Sequence, residues 1–209
     1  MRRGRVPREA GTSGGAERLL IVGLGNPGSR YEGSRHNVGF EVAVELERRW
    51  DLGNPKERFR GLISEGRPEP GGPTVALLRP QTYMNDSGTS AGPARGSLKV
   101  PLENTIVVHD EIDLPFGEVR TRLGGGLAGH NGLKSVARAF GGPDFWRVRV
   151  GVGRPDSTDP DVVARYVLSR FEEPRDDVRE LVERAADEIE RLIREVSEED
   201  ADPIGEVID

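Results

Sequence analysis

The chain has 209 residues, enough for one α/β domain with a core of its own. It contains no cysteine, which excludes disulfides, a thiolate nucleophile and cysteine-ligated zinc, and no apolar run of about 18 residues that would span a bilayer. Its net charge of −6 is unevenly placed: residues 172–209 hold 16 acids and 5 bases, or −11, leaving +5 on the body, which permits a limited phosphate contact but no long nucleic-acid groove.

Residues 1–17, MRRGRVPREAGTSGGAE, are basic and then small, without the apolar stretch of a secretory signal. They read as a disordered tail or an over-long start. An Arg-rich transit peptide is the alternative, opposed by Glu9, Glu17 and the lack of an apolar face. The run LLIVGLG (19–25) predicts a buried strand. Asn37 predicts a helix cap, with Val38, Val42 and Leu46 on one face of a helix ending near Arg49. FRGLIS (59–64) and TVALL (74–78) read as strands on either side of turn residues 66–73. A helix over 86–98 must tolerate Gly88, Gly92 and Pro93. NTIVVH (104–109) and EVRTR (118–122) read as strands. A glycine-rich loop at 124–129 precedes a helix over 131–140. WRVRVGV (146–152) alternates Arg with Val, the pattern of a half-exposed strand. Residues 156–161 form a polar connection. Over 175–196 an amphipathic helix is predicted, with Val178, Leu181, Val182, Ala185, Ile189, Leu192, Ile193 and Val196 along its stripe. Residues 199–209 read as a loose acidic end. The organisation expected is a single α/β domain over 18–198, a mixed twisted sheet with helices on both faces.

GLGNPG (23–28) has the spacing of a dinucleotide fingerprint and follows a strand. The fingerprint requires a helix to open at once on its third glycine, so that the helix N-terminus meets a pyrophosphate. SRYEGSRHN follows instead, with Gly33 and no apolar period, and Glu41, Glu45 and Glu47 lie in the predicted helix rather than on a second strand. A different use is a carboxamide, Asn26, held on a stiff turn beside Pro27 at the end of the first strand. A carboxamide can both donate to and accept from an amide backbone. The plainer reading is an Asx turn.

The three histidines, His36, His109 and His130, all fall in Gly/Asn/Asp-rich segments at predicted element boundaries. A neutral imidazole backed by a carboxylate is the usual general base near neutral pH, and His36 with Asp110 supplies the types needed. No GxSxG motif offers a serine nucleophile, so an activated water is the simplest chemistry. Two other readings stay open on the residues alone: His36 as a packed structural histidine, and His36, Asp110 and His130 as metal ligands, although no H-x-x-x-H or H-x-x-E-H pair occurs.

Five segments, GLGNPGSRYEGSRHNVGF (23–40), PQTYMNDSG (80–88), HDEIDLPFG (109–117), GGGLAGHNGLKS (124–135) and RVRVGVGRP (147–155), stand in order and at compatible separations. Together they resemble the bacterial peptidyl-tRNA hydrolase family, from about Leu19 to Phe171 and more loosely through the last helix. The resemblance implies hydrolysis of the ester joining a peptide to the 3′ end of tRNA, by a cytoplasmic monomer needing no metal or organic cofactor. It implies that His36 is the base that activates water and Asp110 the carboxylate that orients it. Asn26 is similar to the carboxamide that tells an N-blocked end from a free one. Tyr31, Tyr83, Asn85 and Asn131 match positions around the peptide and terminal adenosine, with Met84 lining the same cleft. His130, Arg122, Lys134 and Arg149 match weaker contacts to the tRNA end or its phosphates. Ser34 stands where the family often has threonine, and Tyr83 where some members have phenylalanine. The N-terminal tail matches nothing in the pattern, and the acidic C-terminal end lacks the basic character of some members. The rival functions are a catalytically silent RNA-binding relative, such as an organellar splicing factor, and a small metal-dependent esterase.

Overall fold

Alternation inside the first apolar run decides the layering. In β1 (Arg18–Gly23) Leu19 and Ile21 enter one core and Leu20 and Val22 the other, all four without solvent contact, so the strand needs cover on both faces. The computed structural model describes residues 18–201 and supplies that cover. A seven-stranded sheet runs in the order β2-β3-β4-β1-β5-β7-β6, with β2 at Lys56–Arg58, β3 at Gly61–Gly66, β4 at Thr74–Pro80, β5 at Thr105–Glu111, β6 at Val119–Leu123 and β7 at Trp146–Gly151. The central four strands are parallel, while β2, β3 and β6 join antiparallel, so the sheet is mixed as expected. Helices α1 (Val38–Arg49) and α5 (Arg175–Ala201) close one face, and α2 (Gly88–Leu98) and α3 (Asn131–Phe140) the other.

Burial explains why α5 forms despite its heavy charge. Leu181, Val182, Ala185, Ile189, Leu192 and Ile193 pack on the sheet, and each large aliphatic side chain so buried is worth roughly 1.5–3 kcal/mol against the cost of ordering it. The helix continues to Ala201, past the expected end at 196 and into the segment read as loose. The expectation for residues 1–17 lies outside the described residues, as does that for 202–209.

Four further features depart from the sequence reading. The short edge strand β2 is too polar to stand out as KER. A helix, α4 (Pro160–Leu168), begins where only a polar connection was expected. It is started by Asp159, whose carboxylate accepts from the Asp161 N–H at 2.8 Å, with Pro160 in the first turn. β7 is not half-exposed: Arg147 is 2% exposed because its guanidinium turns inward and donates to the carbonyls of Gly124 and Gly126. The helix α2 starts at Gly88, after a short 3-10 turn at Met84–Asp86.

Because β1 is paired with β4 on one side and β5 on the other, the loops leaving their carboxyl ends open onto one crevice, the usual site position in such sheets.

Candidate active site

One close backbone approach builds the floor of that crevice. A Cβ on Gly39 would lie 2.5 Å from the Leu24 nitrogen and from the Val108 carbonyl oxygen, so only glycine lets the start of α1 sit on the ends of β1 and β5. His36, three residues earlier, is thereby brought over Asp110 at the end of β5. Its Nδ1 lies 2.8 Å from Asp110 Oδ1. With Nδ1–H donating to the carboxylate, Nε2 keeps a lone pair. Burial disfavours the charged imidazolium, but the Asp110 charge and hydrogen bond outweigh it, so the His36 pKa lies above the ordinary value. Burial pushes the Asp110 carboxyl up, and His36 and His130 more than reverse this, holding it well below the usual carboxylate range.

His130 approaches the same oxygen, Nε2 to Asp110 Oδ1 at 3.0 Å. Its Nδ1 caps α3, accepting from the N–H groups of Gly132 at 3.1 Å and Leu133 at 3.3 Å. A nitrogen that accepts carries no proton, so the proton of His130 is on Nε2. This bears on the metal reading. The donor atoms of His36, Asp110 and His130 lie within 4.8 Å of one another. Ligation through Nε2, however, would drive the His130 proton onto Nδ1, against two backbone donors. The residues present fit a hydrogen-bonded cluster better than a metal centre.

Asn26 is buried just beyond β1, and its amide is fixed by distant partners rather than by an Asx turn. Its Oδ1 accepts from the Met84 N–H at 2.8 Å, and its own backbone is gripped by the Asn37 carboxamide, through bonds of 2.9 and 3.0 Å. Two expectations change. Asn37 does not cap α1 with its side chain. Asn26 has used its acceptor within the protein, so it offers Nδ2 as a donor rather than a two-way grip.

These groups line a cleft of about 680 Å³, together with Tyr31, Tyr83, Met84, Asn85 and Asn131. Nine of the twelve residues expected at the site therefore share one cavity. The far wall is α4, through Pro160, Val163, Ala164, Val167 and Leu168. Arg35 fastens this wall: its Nη1 donates to Ser169 Oγ at 2.8 Å and to the Arg170 carbonyl at 2.6 Å, Nη2 pairs with Glu173 at 3.1 Å, and the guanidinium lies 4.3 Å from the Tyr166 ring centroid. The Tyr166 hydroxyl in turn donates to the Val152 carbonyl at 2.7 Å.

Arg122, Lys134 and Arg149 stand outside the cleft. Arg122 and Lys134 are exposed, and Arg149 Nε donates to Glu111 Oε2 at 3.0 Å. His109, for which the sequence suggested no role, lines the cleft from β5, with Nδ1 donating to the Asp110 carbonyl at 2.7 Å. Burial, then neighbouring His130, push its pKa down to about 3, so it is neutral at working pH. The missed residues are Asn37, Arg35, Arg147 and the α4 wall. RHN adjacent to the predicted base was the available signal for the first two.

The fold and cleft define an α/β protein of the hydrolytic class, with an imidazole–carboxylate pair at the floor and, among the described lining residues, neither serine nor cysteine beside it. Comparison with known proteins narrows this. The family model described as peptidyl-tRNA hydrolase matches residues 20–204. The chain is 50% identical over 180 residues to a peptidyl-tRNA hydrolase of Mycobacterium sp. (strain KMS), covering 85% of this chain and 92% of that one. It is 46% identical over 175 residues to one of Geobacillus thermodenitrificans, covering 83% and 92%. The crystal structure of peptidyl-tRNA hydrolase from Acinetobacter baumannii superposes with a TM-score of 0.77 at 33% identity, covering 90% of this chain and 94% of that one. The chain belongs to the peptidyl-tRNA hydrolase family.

Proposed function

We propose that the protein hydrolyses the ester between the carboxyl end of a peptide, or of an N-blocked amino acid, and the 3′-terminal ribose of tRNA. The observation that carries this reading is the 2.8 Å contact of His36 Nδ1 with Asp110 at the floor of the cleft. Asp110 holds the imidazole with Nε2 free. Nε2 takes a proton from water as the water oxygen attacks the ester carbonyl. Negative charge then develops on the former carbonyl oxygen. Asn85 or Asn131 supplies a donor for it, while Asn26 Nδ2 donates to the amide carbonyl that only an N-blocked end presents. Collapse breaks the bond to the ribose oxygen, which recovers the proton from His36. The products are a peptide carboxylate and a tRNA with a free terminal hydroxyl. His36 carries one water proton to the ribose oxygen, the other is lost to solvent as the new acid ionises, and no metal or organic cofactor takes part.

Tyr31, Tyr83, Met84, Asn85 and Asn131 hold the peptide and the terminal nucleoside, while Arg122, Lys134 and Arg149 meet phosphates outside the cleft. The same proposal assigns the activity to one unit over residues 18–198, acting as a monomer in the cytoplasm. Incubation with an N-acetylated aminoacyl-tRNA, with and without chelator, tests the function. Release of free tRNA in both is expected. Chelator-sensitive release would point to a metal-dependent esterase, and tight binding without release to a silent RNA-binding relative.

A further inference from the structure

Asp110 Oδ1 is shared. One donor is His36 at 2.8 Å, the other His130 at 3.0 Å, and their rings are 5.0 Å apart. The second donor is not free to change. The start of α3 aims two backbone N–H groups at His130 Nδ1, which keeps that nitrogen proton-free and so keeps Nε2 as a donor to Asp110. A Cβ on Gly132 would sit 2.4 Å from Met84 Sδ and 3.0 Å from the His130 ring, so the helix start is packed tightly around the imidazole. Both ring nitrogens of His130 are thus committed within the protein, which leaves it neither for a phosphate nor for substrate.

We propose that His130 is a positioning residue, locked by the α3 helix start as a permanent second donor to Asp110, that both fixes the carboxylate and restrains how strongly it makes His36 basic. This rests on reading His36 as the base. Hydrogen bonds to a carboxylate disperse its charge, so the pull on a His36 imidazolium is weaker than a single-donor Asp110 would exert. A base needs a pKa near the working pH, and an unrestrained Asp110 would keep more of His36 protonated and idle. The other groups sharing the cleft that carry or change charge are already answered: Glu111 by Arg149 at 3.0 Å, Arg154 by Asp113 at 2.7 Å, and His109 by its burial.

Two variants separate this from a purely structural role. His130→Asn keeps an oxygen that can cap α3, asparagine being a favoured cap residue, but is too short to reach Asp110. His130→Ala loses both functions. The full chain, labelled on histidine nitrogens, is titrated by NMR without substrate, and kcat/KM is measured against pH. The expected result is an Nε2–H signal for His130 throughout the folded range. In His130→Asn the His36 midpoint and the acidic limb of the rate profile both move upward, by about 0.5–1 pH unit, opposite in direction to Asp110→Asn. A midpoint that rises while the rate profile stays in place supports the positioning role and removes His36 as the base. A proton on Nδ1 of His130, or a His36 midpoint that stays or falls in both variants, overturns the proposal.

Discussion

Asp110, at the end of β5, receives two imidazole N–H groups, whereas on the neighbouring strands like charges face each other: Arg122 opposite Arg147, and Arg120 opposite Arg149. Opposed like charges weaken a sheet pair unless something answers them. Arg147 is answered by loop carbonyls, Arg149 by Glu111, and Arg120 by Glu118 at 2.7 Å. Arg122 has no hydrogen-bonded partner among the described residues, and its charge helps to lower the pKa of buried Arg147, after burial itself. The floor of the cleft is thus complete in hydrogen bonds, whereas the four arginines of the block meet only two carboxylates. In the proposed function, changes to the floor act on turnover and changes to the block on substrate affinity.

The largest effect belongs to the floor. His36→Ala should lower kcat by about 10²–10⁴, the range for a lost general base, with tRNA binding nearly unchanged. Turnover within threefold of the parent would remove the comparison altogether. Asp110→Asn should lower the plateau rate by about 10- to 100-fold, as for loss of a charged hydrogen bond. It also sets a sign. The carboxylate raises the His36 pKa, so removing its charge lowers that pKa, and the acidic limb of the profile must shift to lower pH. A profile of unchanged shape would make Asp110 a packing residue.

Asn26→Ala removes one donor and the acceptor that holds Met84. A loss of about tenfold in kcat/KM is expected on N-acetylated substrate, from a hydrogen bond worth about 1–1.5 kcal/mol, with a much smaller loss on unblocked aminoacyl-tRNA. Equal losses would confine Asn26 to shaping its turn. The smallest effect should come from the block. Arg122→Gln is expected to raise KM a few-fold, to leave kcat in place and to reduce the salt slope of log K by up to about one unit. Measuring KM against salt for parent and variant checks this, and identical slopes would show that phosphate contact lies elsewhere.

How much of this the sequence disclosed differs by element. The central strands and α3 were legible because their apolar spacing reports burial directly. WRVRVGV misled because period-two alternation marks two different environments, not which of them is water. Arg147 turned out to face buried carbonyls. The helix α4 was overlooked although Asp159 and Pro160 form a proper start. Among its residues only Val167 is buried, since much of its apolar side faces the cleft rather than the core. At the site, motifs brought His36, Asp110 and Asn26 forward as candidates. They could not reveal how the atoms are paired. The use of the Asn26 acceptor by Met84, of Asn37 by the Asn26 backbone, and of His130 Nε2 by Asp110 depends on contacts between separate segments of the chain.

Arg35 and His36 are consecutive residues, yet they face opposite structures: His36 the floor, Arg35 the trailing end of the α4 wall. The two sides of the cleft are therefore joined by a single peptide link. At that end the gap has a fixed span, because moving Ser169 or Arg170 outward drags the main chain of His36 with it. Among the described residues no comparable side chain pins the leading end of α4: it follows the segment after β7, where Arg154 and Asp113 make a solvent-exposed pair. The wall is thus fastened at its C-terminal post, next to the imidazole itself. In the proposed function, the spacing between that post and the attacking base is set by the backbone between two adjacent residues.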